Sequence, residues 1–473
     1  MSASDHKHVI LVVNDDLAQW SLGSYGNDEI RAPTLDYLAA TGVLMENAFT
    51  PTPVCSPARA SLLTGRLASQ HGIHDYLSST IPEIHRRPWL EDELTLAQLL
   101  AEAGYQTAHC GKWHLGNDDQ PQAGFSHWFS GVGDYPAEHG GDHRFSLNGE
   151  IQTIPGQRTQ VITDKAIEFL RQRDTTSPFF LHIGYFGTHN PWRGQPERLV
   201  AQYRQNDFDG MLDQPAYPFG IQALESTLPT RLNPREALAQ YFAAVSHIDE
   251  AMGRLLDEME ALKLRDQALI VFTSDHGLCC GHHGLWGKGN ATLPLNMLEE
   301  AIRVPLIINH PQALFAGQRR SEFVDHLDIF QTIAEYTGVL DKLDAGRKYP
   351  GRSFLPLLDN SAALPDWRRI QFGEYGDLRM ARRRQHKLLR RYDEGASCEL
   401  FDLFDDPTES HNRYDDPAYQ PVVEDLTGEL ESYFGRYQDD RKSGLRVREL
   451  PKHNLSEAWR LTSASPGTGK PVD

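Results

Sequence analysis

Residues 241–277 read "YFAAVSHIDEAMGRLLDEMEALKLRDQALIVFTSDHG". Apolar side chains recur at helical spacing up to about Leu264, a short polar turn follows, and "ALIVF" is then continuously apolar. A run that is apolar without alternation marks a strand covered on both faces, as in a parallel sheet between helices. It ends in Asp275 and His276. Residues 8–16, "HVILVVNDD", end the same way, in Asp15 and Asp16, and "APTLDYLAATG" (32–42) follows as an amphipathic helix stopped by Gly42. The order helix, turn, apolar strand, polar loop returns in "TLAQLLAEAGYQTAHCGKWHLG" (95–116) and in "DKAIEFLRQRDTTSPFFLHIGYFGTHNPW" (164–192). Repeated units of this kind predict an α/β fold: a large, mostly parallel sheet flanked by helices on both faces. Ligands of such sheets bind beyond the carboxyl ends of the strands. The polar residues at issue fall at those ends four times.

After about residue 365 the pattern changes. "RRIQFGEYGDLRMARRRQHKLLRRYDEGASCELFDLFDDPTESHN" (368–412) has short alternating segments and turn dipeptides, which predict a small antiparallel sheet. Three parts are expected: a catalytic α/β domain (1–365), a small C-terminal α+β subdomain (366–442), and an extended C-terminal tail (443–473), free or wrapped on a second subunit. The formal charge of −19, from 65 acidic and 46 basic residues, argues against nucleic acid or an anionic membrane as partner. No run approaches a membrane span, and the apolar stretch from Val9 to Val13 is too short for the core of an export signal. The expected location is cytoplasmic, or periplasmic if a signal has been trimmed away. Five cysteines without a secreted-scaffold spacing point to reduced thiols.

Asp15, Asp16 and Asp275 with His276, at one sheet edge, supply three carboxylates and an imidazole. Such a set suits a hard cation, Ca²⁺ or Mg²⁺, and the imidazole also admits Mn²⁺ or Zn²⁺. Lys112 and His114 in "GKWHLG", His189 in "THNPW", and His282, His283 and Lys288 in "GHHGLWGKGN" add cations just past strand ends. A tetrahedral oxyanion between a dication and two lysines is a coherent site, with His114 and His189 placed to move protons. Trp113, Trp192 and Trp286 adjoin these motifs and either face a sugar or aryl group or pack the loops.

In "PTPVCSPARASLLTGR" (51–66), Cys55 stands at the start of a helix that stops at Gly65, with Arg59 one turn on. Amides and macrodipole favour negative charge there. Yet a soft thiolate is a poor match for a hard metal and a sulfate- or phosphate-like electrophile. The residues read as a nucleophile not used as a thiol.

"CSPARASLLTGR" resembles the signature of the type I sulfatases, whose cysteine is oxidised after translation to formylglycine (3-oxoalanine). "VNDD", "GKWHLG", "THNPW", "SDHG", "GLWGKGN" and "CELFDLFDDPTESHN" stand in that family's order, so the likeness runs from about residue 8 to about 415. It implies the alkaline phosphatase superfamily, with a large α/β domain and a small C-terminal subdomain. It implies a sulfuric ester hydrolase acting on a sulfated carbohydrate or aryl sulfate, small or oligosaccharide in size, and a formylglycine-generating enzyme as maturation partner. Asp15, Asp16, Asp275, His276 and the modified residue 55 would bind the metal, usually Ca²⁺, with Mg²⁺ or Mn²⁺ as alternatives. Arg59 would hold the aldehyde hydrate, and Lys112 and Lys288 the sulfate oxygens. His114 would serve as base in turnover of the formylglycine, and His189 would protonate or orient the leaving alcohol. The hydrate supplies the hard oxygen nucleophile that a thiol is not. At His276 many sulfatases carry Asn, and phosphonate monoester and phosphodiester hydrolases of the superfamily often carry His. Those hydrolases are therefore the alternative reading, and a homo-oligomer is compatible with either.

Overall fold

A computed structural model of the chain describes residues 7–133, 139–223, 228–310, 316–344, 346–358, 366–392 and 396–460. A ten-stranded sheet is made of β1 (His8–Asn14), β2 (Val43–Phe49), β3 (Gln106–Gly111), β4 (His127–Gly131), β5 (Gly140–Leu147), β6 (Glu150–Gln157), β7 (Phe179–Tyr185), β8 (Ala268–Ser274), β9 (Leu306–Asn309) and β10 (Gln318–Asp325). The strand order is β10-β2-β9-β8-β1-β7-β3-β4-β5-β6. Among these strands, β5 and β9 run against the rest. The sheet is thus mixed and mostly parallel, as the helix–strand repeats predict.

The unbroken apolar run of β1 serves two cores. Ile10 and Val12 face the side covered by α1 (Pro33–Thr41), α4 (Arg158–Gln172) and α5 (Pro234–Ala261). Val9, Leu11 and Val13 face the side covered by α2 (Cys55–Thr64), α3 (Leu96–Glu102) and α6 (His326–Tyr336). Each such side chain, fully buried, contributes about 1.5–3 kcal/mol, which is why no polar residue interrupts the strand.

A second sheet, antiparallel throughout, comprises β11 (Gln371–Tyr375), β12 (Leu378–Arg382), β13 (His386–Arg391) and β14 (Glu399–Asp402). Val423, Leu426, Leu430 and Phe434, one stripe of α7 (Gln420–Tyr437), cover Ala381, Leu388 and Leu400 on one face. The other face carries Met380, Leu389 and Phe401 onto Phe49, Val54 and Phe323 of the large unit. The small sheet therefore backs Val54, the residue before Cys55.

The junction expected at 365/366 and tail residues 461–473 lie outside the described residues. Residues 443–460 pack on the chain's own 69–78 segment. Gly444 N donates to Ser69 Oγ (3.0 Å), Ser78 N to the His453 carbonyl (2.9 Å), and Asn454 Nδ2 to the Tyr76 carbonyl (2.9 Å). All five cysteines are free, and among the described residues no helix is long and apolar enough to cross a membrane.

His109 on β3 and His182 on β7 are register partners inside this sheet, with their Nδ1 atoms 2.9 Å apart. One ring donates to the other, and burial of both disfavours a further proton on either. Burial depresses His182 to about 3 and His109 well below the usual range. The unfolded chain takes up protons near pH 6.5 that the folded chain refuses, so this stability is complete above that pH and is lost as pH falls. His182→Asn should reduce the slope of unfolding free energy against pH, between about 6 and 4.5, by one proton, or about 1.4 kcal/mol per pH unit. Denaturant titration across that range checks it; an unchanged slope contradicts it.

Candidate active site

β8, β1, β7 and β3 are consecutive neighbours in the sheet, and each delivers a functional residue just past its carboxyl end. Parallel register pairs Asn14 with Ser274, so Asp15 and Asp16 emerge beside Asp275 and His276. Asp275 N donates to the Asn14 carbonyl (2.9 Å), Asp16 N to Asp275 Oδ1 (3.2 Å), and Leu17 N to Ser274 Oγ (2.9 Å). Asp16 adopts a left-handed backbone (φ 61°), which turns the chain within that lattice. At the end of β3, Gly111 has φ 120°, and a Cβ there would stand 2.0 Å from the Gly184 carbonyl oxygen. Only glycine allows this approach, and Lys112 N then bonds the Gly184 carbonyl at 2.8 Å. His189 follows β7, where Thr188 Oγ1 donates to the Asp15 carbonyl.

Cys55 is the first residue of α2, a helix buried along its whole length, and is 1% exposed. α2 ends at Gly65 (φ 66°), where a Cβ would meet the Phe330 ring at 2.6 Å; the T-G-R glycine is thus required on two counts. Gly289 N bonds the Pro53 carbonyl (3.1 Å) and so docks the Lys288 loop on the segment leading to Cys55. Lys288 Nζ donates to Cys55 Sγ (2.9 Å) and Asp16 Oδ1 (2.6 Å). His276 Nε2 lies 3.3 Å from both Cys55 Sγ and Asp16 Oδ1. Arg59 Nε and Nη2 each reach Asp275 Oδ2 at 2.9 Å, Arg59 Nη1 donates to the Lys112 carbonyl, and Lys112 Nζ bonds Asp15 Oδ2.

Burial opposes charge on all three carboxylates. Against that penalty, Lys112, followed by His189, Arg59 and Lys288, holds Asp15 well below the usual range, and Lys288, His189 and His276 hold Asp16 down. Asp275 stays raised, since burial outweighs His276 and Arg59. Burial keeps His276 neutral. Its Nδ1 faces the Gly277 carbonyl (2.9 Å), an acceptor only, so Nδ1 carries the proton and Nε2 presents its lone pair to the acids. That is how a metal-ligating imidazole is held. Ligand atoms of Asp15, Cys55, Asp275 and His276 all lie within 4.8 Å of one another, as do those of Asp15, Asp16, Cys55 and His189. Asp15 Oδ1 is buried without a hydrogen-bond partner among the described residues. An oxygen-rich set with one orphaned carboxylate oxygen fits a hard divalent cation.

The structure thus brings together Asp15, Asp16, Cys55, Arg59, Lys112, His189, Asp275, His276 and Lys288. His114 joins them from the Lys112 loop: its Nε2 meets the Leu77 carbonyl at 3.1 Å, and burial followed by Lys112 keeps it well below the usual histidine range. His282 and His283 turn away, His282 against Trp20 and His283 onto Glu300 (3.1 Å). Trp113, Trp192 and Trp286 are buried at 3, 6 and 4% exposure and pack the loops. Sequence reading missed Ser56, Asp75, Tyr76 and Tyr375. Ser56 Oγ donates to the His114 carbonyl (2.8 Å) and accepts from Leu77 N (2.9 Å); Tyr375 Oη donates to Asp75 Oδ1 (2.6 Å); Tyr76 Oη meets Ser456 Oγ (2.7 Å). Of these contacts, only Ser56, directly after the cysteine, carried a local signal.

Comparison with known proteins finds sulfatases. The sulfatase family model matches residues 7–339, and a model for the C-terminal region of N-sulphoglucosamine sulphohydrolase matches 281–435. N-acetylglucosamine-6-O-sulfatase of Bacteroides thetaiotaomicron is 26% identical, over 92% of this chain and 87% of its own. Human iduronate 2-sulfatase is 28% identical over 77% and 68%. A solved structure of a protein in complex with its substrate D-glucosamine-2-N,6-O-disulfate superposes with TM-score 0.79 at 25% identity, covering 92% of this chain and 99% of that one.

Ser56→Ala deprives Leu77 N and the His114 carbonyl of one buried partner. The expected cost is about 1–3 kcal/mol of stability. Because His114 is then less well held, kcat should fall while KM changes little. Ser56→Thr, which keeps the hydroxyl, should recover part of both. A full kcat in Ser56→Ala contradicts the link.

Proposed function

The chain belongs to the sulfatase family, and from its site we propose that this sulfuric ester hydrolase cleaves sulfate esters of amino sugars, with formylglycine derived from Cys55 as nucleophile. The convergence of Lys288 Nζ, His276 Nε2 and the Asp15–Asp16–Asp275 carboxylates around Cys55 Sγ carries this reading. The amino-sugar class is supported by the named N-acetylglucosamine-6-O-sulfatase relative and by the disulfated glucosamine bound to the structural neighbour. Maturation exchanges the CH₂–SH of Cys55 for an aldehyde, losing sulfur and two hydrogens and gaining oxygen, which requires a formylglycine-generating enzyme as partner.

Asp15, Asp16, Asp275, His276 and the residue-55 side chain would hold Ca²⁺, with Mg²⁺ or Mn²⁺ as alternatives. Such a cation would supply positive charge that acidifies a hydroxyl on residue 55 and offsets the charge of the sulfate. Arg59 fixes Asp275 and the base of the site. Lys112 and Lys288 bind and orient sulfate oxygens as point charges. His114 Nε2 donates to the Leu77 carbonyl, so the neutral ring offers Nδ1 as a base. In the same way His189 Nδ1 donates to the Asn190 carbonyl, which leaves Nε2 to serve the departing alcohol oxygen. His276 also sustains a second reading, a phosphonate monoester or phosphodiester hydrolase using the same groups.

Three outcomes are expected. Mass spectrometry of the peptide containing residue 55 should show the sulfur-for-oxygen exchange, and Cys55→Ala should be inactive; active enzyme with an intact thiol refutes the nucleophile. Prolonged chelation should abolish turnover, and added Ca²⁺ should restore it. Glucosamine 6-sulfate should exceed an aryl phosphonate monoester in kcat/KM; a preference for the phosphonate by several powers of ten establishes the second reading.

A further inference from the structure

Outside the catalytic edge, a second group of metal-type side chains stands where the loop that carries Lys112 and His114 meets the short helix ending at His85. Past His114 the chain curls through two left-handed residues, Gly116 (φ 80°) and Asn117 (φ 46°), and Asn117 N bonds the His85 carbonyl at 2.8 Å. This sets Asp118 and Asp119 against the short helix Pro82–His85. His85 Nε2 lies 3.5 Å from Asp118 Oδ1 and 3.9 Å from Asp119 Oδ1, and the three ligand atoms fall within 4.8 Å of one another. Ligands about 2.0–2.2 Å from a single ion are spaced on this scale.

The group is more than an acidic surface. The Asp118 side chain is 3% exposed, and its Oδ1, the oxygen facing His85, has no hydrogen-bond partner among the described residues. A cation would satisfy a buried carboxylate oxygen left in that state. The backbone on both sides is pinned, with Trp128 Nε1 donating to the Asp118 carbonyl (3.1 Å) and Ser146 Oγ to that of Asp119 (2.7 Å). Arg86 Nη1 is bonded to Asp119 Oδ1 at 2.7 Å, but its side chain is 56% exposed. Exposed pairs of this kind hold weakly, so a dication displaces it into solvent. The His85 side chain, at 12% exposure, leaves an entry path.

We propose that His85, Asp118 and Asp119 form a second divalent-metal site, separate from the catalytic one. One imidazole with two carboxylates favours Zn²⁺ or Mn²⁺ over Ca²⁺, water completing the coordination. The ion clamps the outer end of the Lys112–His114 loop to the 82–85 helix. The inference rests on these residues alone and stands or falls independently of the substrate.

Chelator-treated protein, saturated with Zn²⁺, desalted and analysed for metal content, tests it. Wild type should retain one more ion per chain than His85→Ala or Asp118→Asn, and Asp275→Asn should keep the ion that those two lose. With Co²⁺ instead of Zn²⁺, wild type should show visible absorption that His85→Ala lacks. Equal metal content in wild type and both folded variants overturns the proposal. If the variants do not fold, Zn²⁺-soaked wild-type crystals decide: an anomalous peak between His85 Nε2 and Asp118 Oδ1 establishes the site, and no peak there overturns it.

Discussion

The architecture depends on one electrostatic constraint, the mutual neutralisation of three carboxylates and three cations with almost no access to water. Asp15, Asp16 and Asp275 are 0, 2 and 0% exposed. Each is matched: Lys112 with Asp15, Lys288 with Asp16, Arg59 with Asp275. Burying a lone ion costs several kcal/mol, and breaking such a pair costs about 3–5 kcal/mol because the survivor is left uncompensated. The six groups come from loops after β1, β3 and β8, from α2, and from the Lys288 loop. Mutual neutralisation therefore requires all five segments to be in place together. The formal balance of the six is zero, since His276 is neutral. A neutral set of side chains offers an anionic ester little net attraction, and a divalent cation held there would make this edge electropositive.

That balance explains why the site lies in the middle of the sheet rather than at its rim. β8, β1, β7 and β3 adjoin one another, so four strand ends converge at one place in the middle of the sheet. The antiparallel β9 lets the chain pass from this cluster towards β2 and β10 without a further crossover helix at that edge. α2 then lays its first residue across the strand ends, pressed from behind by Val54 and the small sheet.

How much of this was legible in sequence follows from the range of the interactions. Asp15–Asp16, Asp275–His276, Lys112 and His189 are visible because each terminates an apolar strand, a local pattern, and parallel register does the rest. The small antiparallel sheet showed itself through short alternation and turn dipeptides. Cys55, by contrast, looked anomalous by physical reasoning alone, and only its twelve-residue surroundings explained it. Contacts spanning hundreds of residues left no local trace. Asn454 against Tyr76 and His453 against His74 join the tail to the 69–78 segment, and nothing in "KHNLSEAW" announces them. The tryptophans show the converse limit. A Trp beside a functional motif suggests a ligand platform, but Trp192 and Trp286 sit with ring centroids 5.6 Å apart and brace the loops instead.

With those rings buried, the 74–78 segment carries the contacts that join distant parts of the chain near Cys55. Tyr76 is half-buried beside the nucleophile, and its carbonyl and hydroxyl are both held by the tail, by Asn454 Nδ2 and Ser456 Oγ. Asp75, next to it, is held by Tyr375 of the small sheet. The same 74–78 segment passes its Leu77 amide to Ser56 and its Leu77 carbonyl to His114. One stretch of chain is therefore tied to Ser56, to His114, to the small sheet and to the tail. Residues 453–456 and the His114 ring are for this reason held through the same short stretch of chain.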